Sequence, residues 1–156
     1  MGAAIIQLIP VVDFADFWRQ VMEGRHETKT ILLVDVHKAL LTMLTKEFKE
    51  QGYQIITSQS GLEALRVLEE SPFVNLVITD LHLHEMDGAE LLSQIKERWP
   101  ALPVIIHTAY TQYKENFLTW AADDYIVKSL NFSDLNNSVK KLIGKPSKPW
   151  NDMSGI

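Results

Sequence analysis

The chain has 156 residues, a hydrophobic fraction of 46%, a charged fraction of 22% and a net charge of −5, the profile of one ordinary globular domain. The negative charge argues against a nucleic-acid-binding surface, which carries a basic patch. The absence of cysteine excludes disulfides and thiolate metal sites and fits a reducing compartment. The stretch Ala3 to Ile9 is mostly apolar, but no Lys or Arg precedes it and Pro10 and Asp13 follow, so no signal peptide is expected. No run approaches the roughly 18 apolar residues of a membrane span. A cytoplasmic chain without membrane insertion is the expectation.

Phe14, Phe17, Trp18, Val21 and Met22 fall on one face at helical spacing, with Asp13 placed to cap. Residues 11–23 therefore predict an amphipathic helix, and Gly24 to Lys29 a linker. This 1–29 segment is read as packing on the main domain or on a second copy in a homodimer, or as docking into a larger assembly. Asp13, Asp16 and Glu23 against Arg19 make it a poor membrane-surface helix.

From Thr30 to Gly144 strands and helices alternate. Strands are predicted at 31–35, 53–57, 75–80, 103–107 and 124–128. Helices are predicted at 38–51, ended by Gly52; from a Ser60 cap through Glu70; at 87–99, stopped by Pro100; at 112–122, the weakest; and at 133–143, with Ser133 as N-cap and Gly144 as stop. Residues 145–156, with Pro146 and Pro149, form a tail. Strands separated by helices make a doubly wound α/β domain over 30–144, its five-stranded parallel sheet covered on both faces. The flavodoxin-like order 2-1-3-4-5 puts the switch point between strands 1 and 3, where open parallel sheets keep their sites.

Each of four strands delivers a polar group to that edge. Ile31-Leu32-Leu33-Val34 ends at Asp35, Leu76-Val77-Ile78-Thr79 at Asp80, Val104-Ile105-Ile106-His107 at Thr108, and Tyr125-Ile126-Val127 at Lys128. Two carboxylates, a hydroxyl and an ammonium suit phosphoryl chemistry: a carboxylate is a usable nucleophile toward phosphorus, and the rest is positioning and charge stabilisation. No Gly-rich loop follows the first strand, which counts against a nucleotide site. His37, His82, His84 and His107 follow or end these strands. Imidazole suits transition metals, but His82 and His84 have loop spacing and no anchoring pair, so exposed loop histidines are expected.

The Val34-Asp35 end, the Asp80 to Gly88 stretch, His107-Thr108-Ala109 and the Asp123 to Lys128 segment, in this order and spacing, resemble a response-regulator receiver domain of two-component signalling, similar to chemotaxis regulators. The resemblance covers roughly three quarters of the chain. It implies that Asp80 is the phosphoacceptor, served by a sensor histidine kinase or a histidine phosphotransfer protein. It also implies that Lys128 and Thr108 contact the phosphoryl group, and that Thr108 and Tyr125 form a switch. Mg²⁺ would be held by Asp35, Asp80 and the backbone carbonyl of His82. Such a domain signals rather than acting as an enzyme, and binds no nucleic acid directly. Three positions depart from the pattern. Val36 replaces the usual second acid, so weaker Mg²⁺ binding is expected. His84 and Ser129 replace prolines, so a looser loop after Asp80 and a different course for the loop after Lys128 are expected. The alternative is a degenerate receiver acting as a binding module independent of phosphorylation.

Overall fold

The computed structural model describes residue 15, residues 28–111 and residues 120–144. All but Ala15 of the predicted helix at 11–23, most of the one at 112–122, and the tail lie outside the described residues. Trp120 to Ala122, at the end of the second of these, form a turn.

The elements are β1 (Thr30–Val34), α1 (Lys38–Glu50), β2 (Gln54–Ser58), α2 (Gly61–Glu70), β3 (Val74–Thr79), α3 (Gly88–Arg98), β4 (Val104–Thr108), β5 (Asp124–Val127) and α4 (Ser133–Ile143). The strands form one sheet, parallel as the alternation implies, in the expected flavodoxin-like order β2-β1-β3-β4-β5. Successive side chains of a strand point to opposite faces, and the apolar runs here fill both. Leu32, Val34, Val77 and Ile106 pack against Ala64, Leu65 and Leu68 of α2 and Leu91, Leu92 and Ile95 of α3. Ile31, Leu33, Leu76, Ile78 and Ile105 pack against Leu41, Leu44 and Phe48 of α1 and Leu135 and Val139 of α4. All five residues of β1 and of β4 are buried, the mark of central parallel strands covered on both faces.

The local signals act as expected at most ends. Ser60 and Asp87 are N-caps, their side chains accepting from Glu63 N at 3.1 Å and Glu90 N at 2.8 Å. Gly52, at φ 101°, lets the Tyr53 N–H reach back to the Phe48 carbonyl at 3.1 Å and closes α1. The last helix differs. Phe132 is the N-cap position and Ser133 is the first helical residue. Asn131 Oδ1 accepts from Ser133 N at 2.9 Å and from its hydroxyl at 2.6 Å, so an Asx-type turn takes the role assigned to Ser133. The second strand begins at Gln54 rather than Tyr53, whose hydroxyl donates to the Gly144 carbonyl at 2.9 Å.

Gly88 fixes the loop after β3. A Cβ there would lie 2.1 Å from the Asp80 carbonyl oxygen and 2.8 Å from Leu81 Cα, and the Gly88 N–H donates to the Leu81 carbonyl at 2.8 Å. Backbone cannot yield as a side chain can. Gly88→Ala is expected to cost at least ~2 kcal/mol in urea unfolding. Gly61→Ala, whose nearest neighbours are atoms of the Met86 side chain from 3.0 Å, is expected to cost less. Equal unfolding midpoints for the two variants would contradict this packing argument.

Candidate functional site

The ladder of the sheet runs one residue past three strand ends. Asp35 N donates to Ser58 O at 3.1 Å, Asp80 N to Val34 O at 3.0 Å, and Lys128 N to Thr108 O at 2.8 Å. The backbones of Asp35, Asp80 and Lys128 are thus held by the same bonds that hold the sheet. Their side chains converge at the β1–β3 switch point, where the sequence places them.

Lys128 Nζ lies 2.7 Å from Asp35 Oδ2 and 2.6 Å from Asp80 Oδ2. Both carboxylates are buried, their side chains 5% exposed, and the lysine is 18% exposed. The other Asp80 oxygen, Oδ1, accepts from Leu81 N at 2.7 Å and from His82 N at 3.4 Å. Burial works to raise the Asp80 pKa, but Lys128, then the Thr108 hydroxyl and the His82 N–H, outweigh it and hold the carboxyl below its ordinary value of 3.8. Burial likewise works to lower the Lys128 pKa, and hydrogen bonds and attraction from Asp35 and Asp80 outweigh it, so the ammonium is held above its ordinary value. Thr108 is fully buried at the end of β4. Tyr125, half-buried on β5, donates its hydroxyl to the Tyr110 carbonyl in the segment after Thr108. The structure therefore brings together Asp35, Asp80, Thr108 and Lys128, with Tyr125 tethered to the adjoining loop.

The loop between β3 and α3 turns through Glu85, at φ 68°, a left-handed position that few side chains adopt. His84 pairs with Ser60 in an isolated bridge. No cis peptide bond occurs among the described residues, and past Lys128 the Ser129 hydroxyl accepts from Asn131 N at 3.1 Å.

His37, His82 and His84 are exposed as expected, and His107 is the exception. His107 is 3% exposed, because it continues the buried run of β4. His82 packs its ring against Tyr110 with centroids 4.2 Å apart. His37 is exposed, yet its Nδ1 and its backbone N each lie 2.9 Å from Asp35 Oδ1. Asp35, His37 and Asp80 each offer a ligand atom within 4.8 Å of the others. Sequence reasoning missed His37 as a member of the site. The available signal was its place two residues beyond a strand-end acid.

Comparison with known proteins gives a consistent result. The profile of the response regulator receiver domain matches residues 31–140. The transcriptional regulatory protein ZraR of Escherichia coli (strain K12) is 35% identical over 120 residues, 76% of this chain and 27% of that protein. GlrR of the same strain is 44% identical over 85 residues, 54% of this chain and 19% of that protein. The chain thus spans less than a third of either regulator. Among solved structures, the response regulator TrrA of Thermotoga maritima, in complex with Mg²⁺–BeF, aligns with a TM-score of 0.71 and 37% identity, covering 74% of this chain and 99% of that one. TrrA in complex with the histidine kinase ThkA aligns with a TM-score of 0.69 and 38% identity, covering 74% and 98%.

The site's electrostatics carry a pH signature. Burial, and then the nearby Lys128 charge, pushes His107 from 6.5 down to about 4, against the pull of Asp35 and Asp80. Between those values the unfolded chain takes up a proton that the folded chain refuses. Stability is therefore expected to fall as pH drops from 6.5 to about 4, by up to about 3 kcal/mol. The Asp80 contribution is lost lower still, as pH falls through its depressed pKa. In His107→Leu the urea midpoint is expected to vary less with pH across the upper window. Parallel pH curves for the two proteins would refute the assignment.

Proposed function

This chain belongs to the response-regulator receiver family, and we propose that it accepts a phosphoryl group on Asp80 from a histidine kinase or a histidine phosphotransfer protein. The observation that carries the reading is the single Lys128 ammonium bridging the Asp35 and Asp80 carboxylates at 2.7 and 2.6 Å. A lysine so placed lies where the charge of an incoming phosphoryl group must be met. An Asp80 carboxylate oxygen bonds to phosphorus as the phosphorus–nitrogen bond of the donor phosphohistidine breaks, and the leaving imidazole nitrogen takes a proton. The depressed Asp80 pKa keeps the carboxylate ionised and nucleophilic. Lys128 follows the charge from the carboxylates to the phosphoryl oxygens, and the buried Thr108 hydroxyl donates to one of them.

The chemistry of the donors fits a hard divalent ion. Two buried carboxylates against one ammonium leave a net charge of −1, and Asp35, Asp80 and the His82 carbonyl would hold Mg²⁺. When bound, the ion neutralises charge on the transferring group. Val36 offers no oxygen from its side chain, so Mg²⁺ binds weakly. Once phosphorylated, Asp80 draws Thr108 inward and alters the segment that carries Tyr110, whose carbonyl Tyr125 holds. That change re-presents the β4–β5–α4 side to a partner or to a second copy. The chain is a signalling domain that assists its own phosphorylation and dephosphorylation. Transfer from an ATP-fed kinase is a cytoplasmic reaction. Val36 also favours a second reading, a degenerate receiver that binds its partner without phosphorylation.

Incubation with phosphoramidate and Mg²⁺ is expected to give one acid-stable, base-labile phosphoryl adduct, seen by intact mass and absent in Asp80→Asn. Lys128→Ala is expected to slow its formation by about 10²-fold, and Val36→Asp to lower the Mg²⁺ concentration needed. No adduct beside an active receiver control selects the degenerate reading. An adduct that survives Asp80→Asn rejects the site.

A further inference from the structure

His37 sits at the N-cap position of α1 but makes no side-chain cap hydrogen bond. Its ring turns back to Asp35 instead, at 2.9 Å. The residue before it, Val36, is the one that cannot supply a side-chain ligand. The imidazole is 67% exposed while the two carboxylates it faces are 5% exposed, so a nitrogen donor stands at the solvent mouth of a buried acidic pair. The one bridging lysine leaves that pair with net negative charge. The ligand atoms of all three groups lie within 4.8 Å of one another. An ion with bonds of about 2.1 Å holds its donors roughly 3–4 Å apart, so the groups must close by on the order of an ångström. An exposed side chain makes that adjustment by rotation about its own bonds.

We propose that His37 supplies an imidazole ligand to the Asp35–Asp80 pocket, so that this site takes a first-row transition ion such as Mn²⁺ or Ni²⁺ in preference to Mg²⁺. The inference deepens the phosphoacceptor reading and rests on it for its purpose, though not for its test. Its physical basis is ligand type. Mg²⁺ prefers oxygen and keeps much of its water. Nitrogen ligation favours transition ions, with affinity rising along the series from Mn²⁺ to Ni²⁺. Losing the usual acid and gaining an imidazole one position later therefore changes which ion the pocket selects, beyond weakening it for Mg²⁺.

The test uses the full chain and the metal ions alone, without a phosphoryl donor. Calorimetric titration with Ni²⁺ and Mg²⁺ is expected to show tighter Ni²⁺ binding. His37→Ala is expected to lower Ni²⁺ affinity about tenfold or more and Mg²⁺ affinity by less than about twofold. Asp80→Asn is expected to weaken both. Pulsed EPR of the Mn²⁺ complex is expected to show ¹⁴N coupling that disappears in His37→Ala; circular dichroism checks that this surface variant is folded. Absence of nitrogen coupling, its persistence in His37→Ala, or an equal loss of Ni²⁺ and Mg²⁺ affinity overturns the proposal. The two readings fail separately. A chain phosphorylated with Mg²⁺ but blind to His37→Ala loses this inference alone. A chain that binds Mn²⁺ through His37 yet forms no adduct loses the phosphoacceptor reading alone.

Discussion

Lys128 is the charge on which the C-terminal edge of this sheet depends. Two carboxylates, from β1 and β3, are buried within a few ångströms of each other, and such a pair is tolerated only with a cation between them. The lysine comes from the far strand β5, beyond β4, and its 2.7 and 2.6 Å contacts require the β1-β3-β4-β5 order to be correct. Register matters as much as order. Val34 pairs with Thr79, so Asp35 and Asp80 leave the sheet side by side; Thr79 is level with Ile106 and Tyr125, so Lys128 stands two residues further on and its long side chain spans the difference. Breaking such a buried ion cluster at one member costs about 3–5 kcal/mol, because the carboxylate left behind cannot reach bulk water. The site and the fold are therefore coupled through one side chain.

The supporting contacts are spent on backbone position. Asp123 Oδ2 accepts from Val104 N at 2.8 Å and from Lys96 Nζ at 2.7 Å, which fixes the entry to β5 against β4 and α3. Asp124 Oδ2 accepts from the Ser138 hydroxyl at 2.6 Å, which ties the same strand to α4. Together they set where Lys128 emerges. On the other side, the close approach of Gly88 to the Asp80–Leu81 peptide sets where Asp80 emerges, and Leu81 N, held there, donates to Asp80 Oδ1. Each strand end is thus aimed by a contact on a neighbouring element.

The alternating elements, the layered core and the four strand-end residues were legible in the sequence because they follow from apolar runs, periodicity and turn residues, which are local; the strand order came from likeness to flavodoxin-like folds. The course of the loops was less so. Asn131 displaced Ser133 as the group that opens the last helix, since two competent side chains lie two residues apart and only the backbone angles choose between them. His107 reads as a loop histidine by type, yet continues a fully buried strand by position, and it is held neutral by that burial first and by the Lys128 charge second, against the pull of Asp35 and Asp80. His37 was hidden for the opposite reason. Its role depends on a ring rotating away from the helix it precedes, which no spacing rule encodes. The roles of Asp123 and Asp124 as braces were likewise invisible, since an acid pair before a strand has no pattern that distinguishes a brace from a solvated turn.

The same charge balance gives the proposed switch its direction. With Asp80 unmodified, one ammonium serves two carboxylates, and Thr108 and Tyr125 are occupied in the resting arrangement. A phosphoryl group on Asp80 adds charge where Oδ1 and Oδ2 are already held by Leu81 N and Lys128. New donors must then come from groups that can move. The sheet ladder pins Lys128 and Thr108 by their backbone, so their side chains can reorient while their Cα positions stay. In the segment after Thr108, Tyr110 N contacts Thr108 Oγ1 at 3.4 Å and the Tyr110 carbonyl accepts from the Tyr125 hydroxyl. If the Thr108 hydroxyl turns to a phosphoryl oxygen, that 3.4 Å contact is the first to go. Such a shift at Tyr110 would be felt by Tyr125, whose hydroxyl its carbonyl accepts, and by His82, two residues past Asp80, whose ring packs tilted against it. The proposed switch would thereby act through this loop, which adjoins Asp80, rather than through the buried core of the sheet.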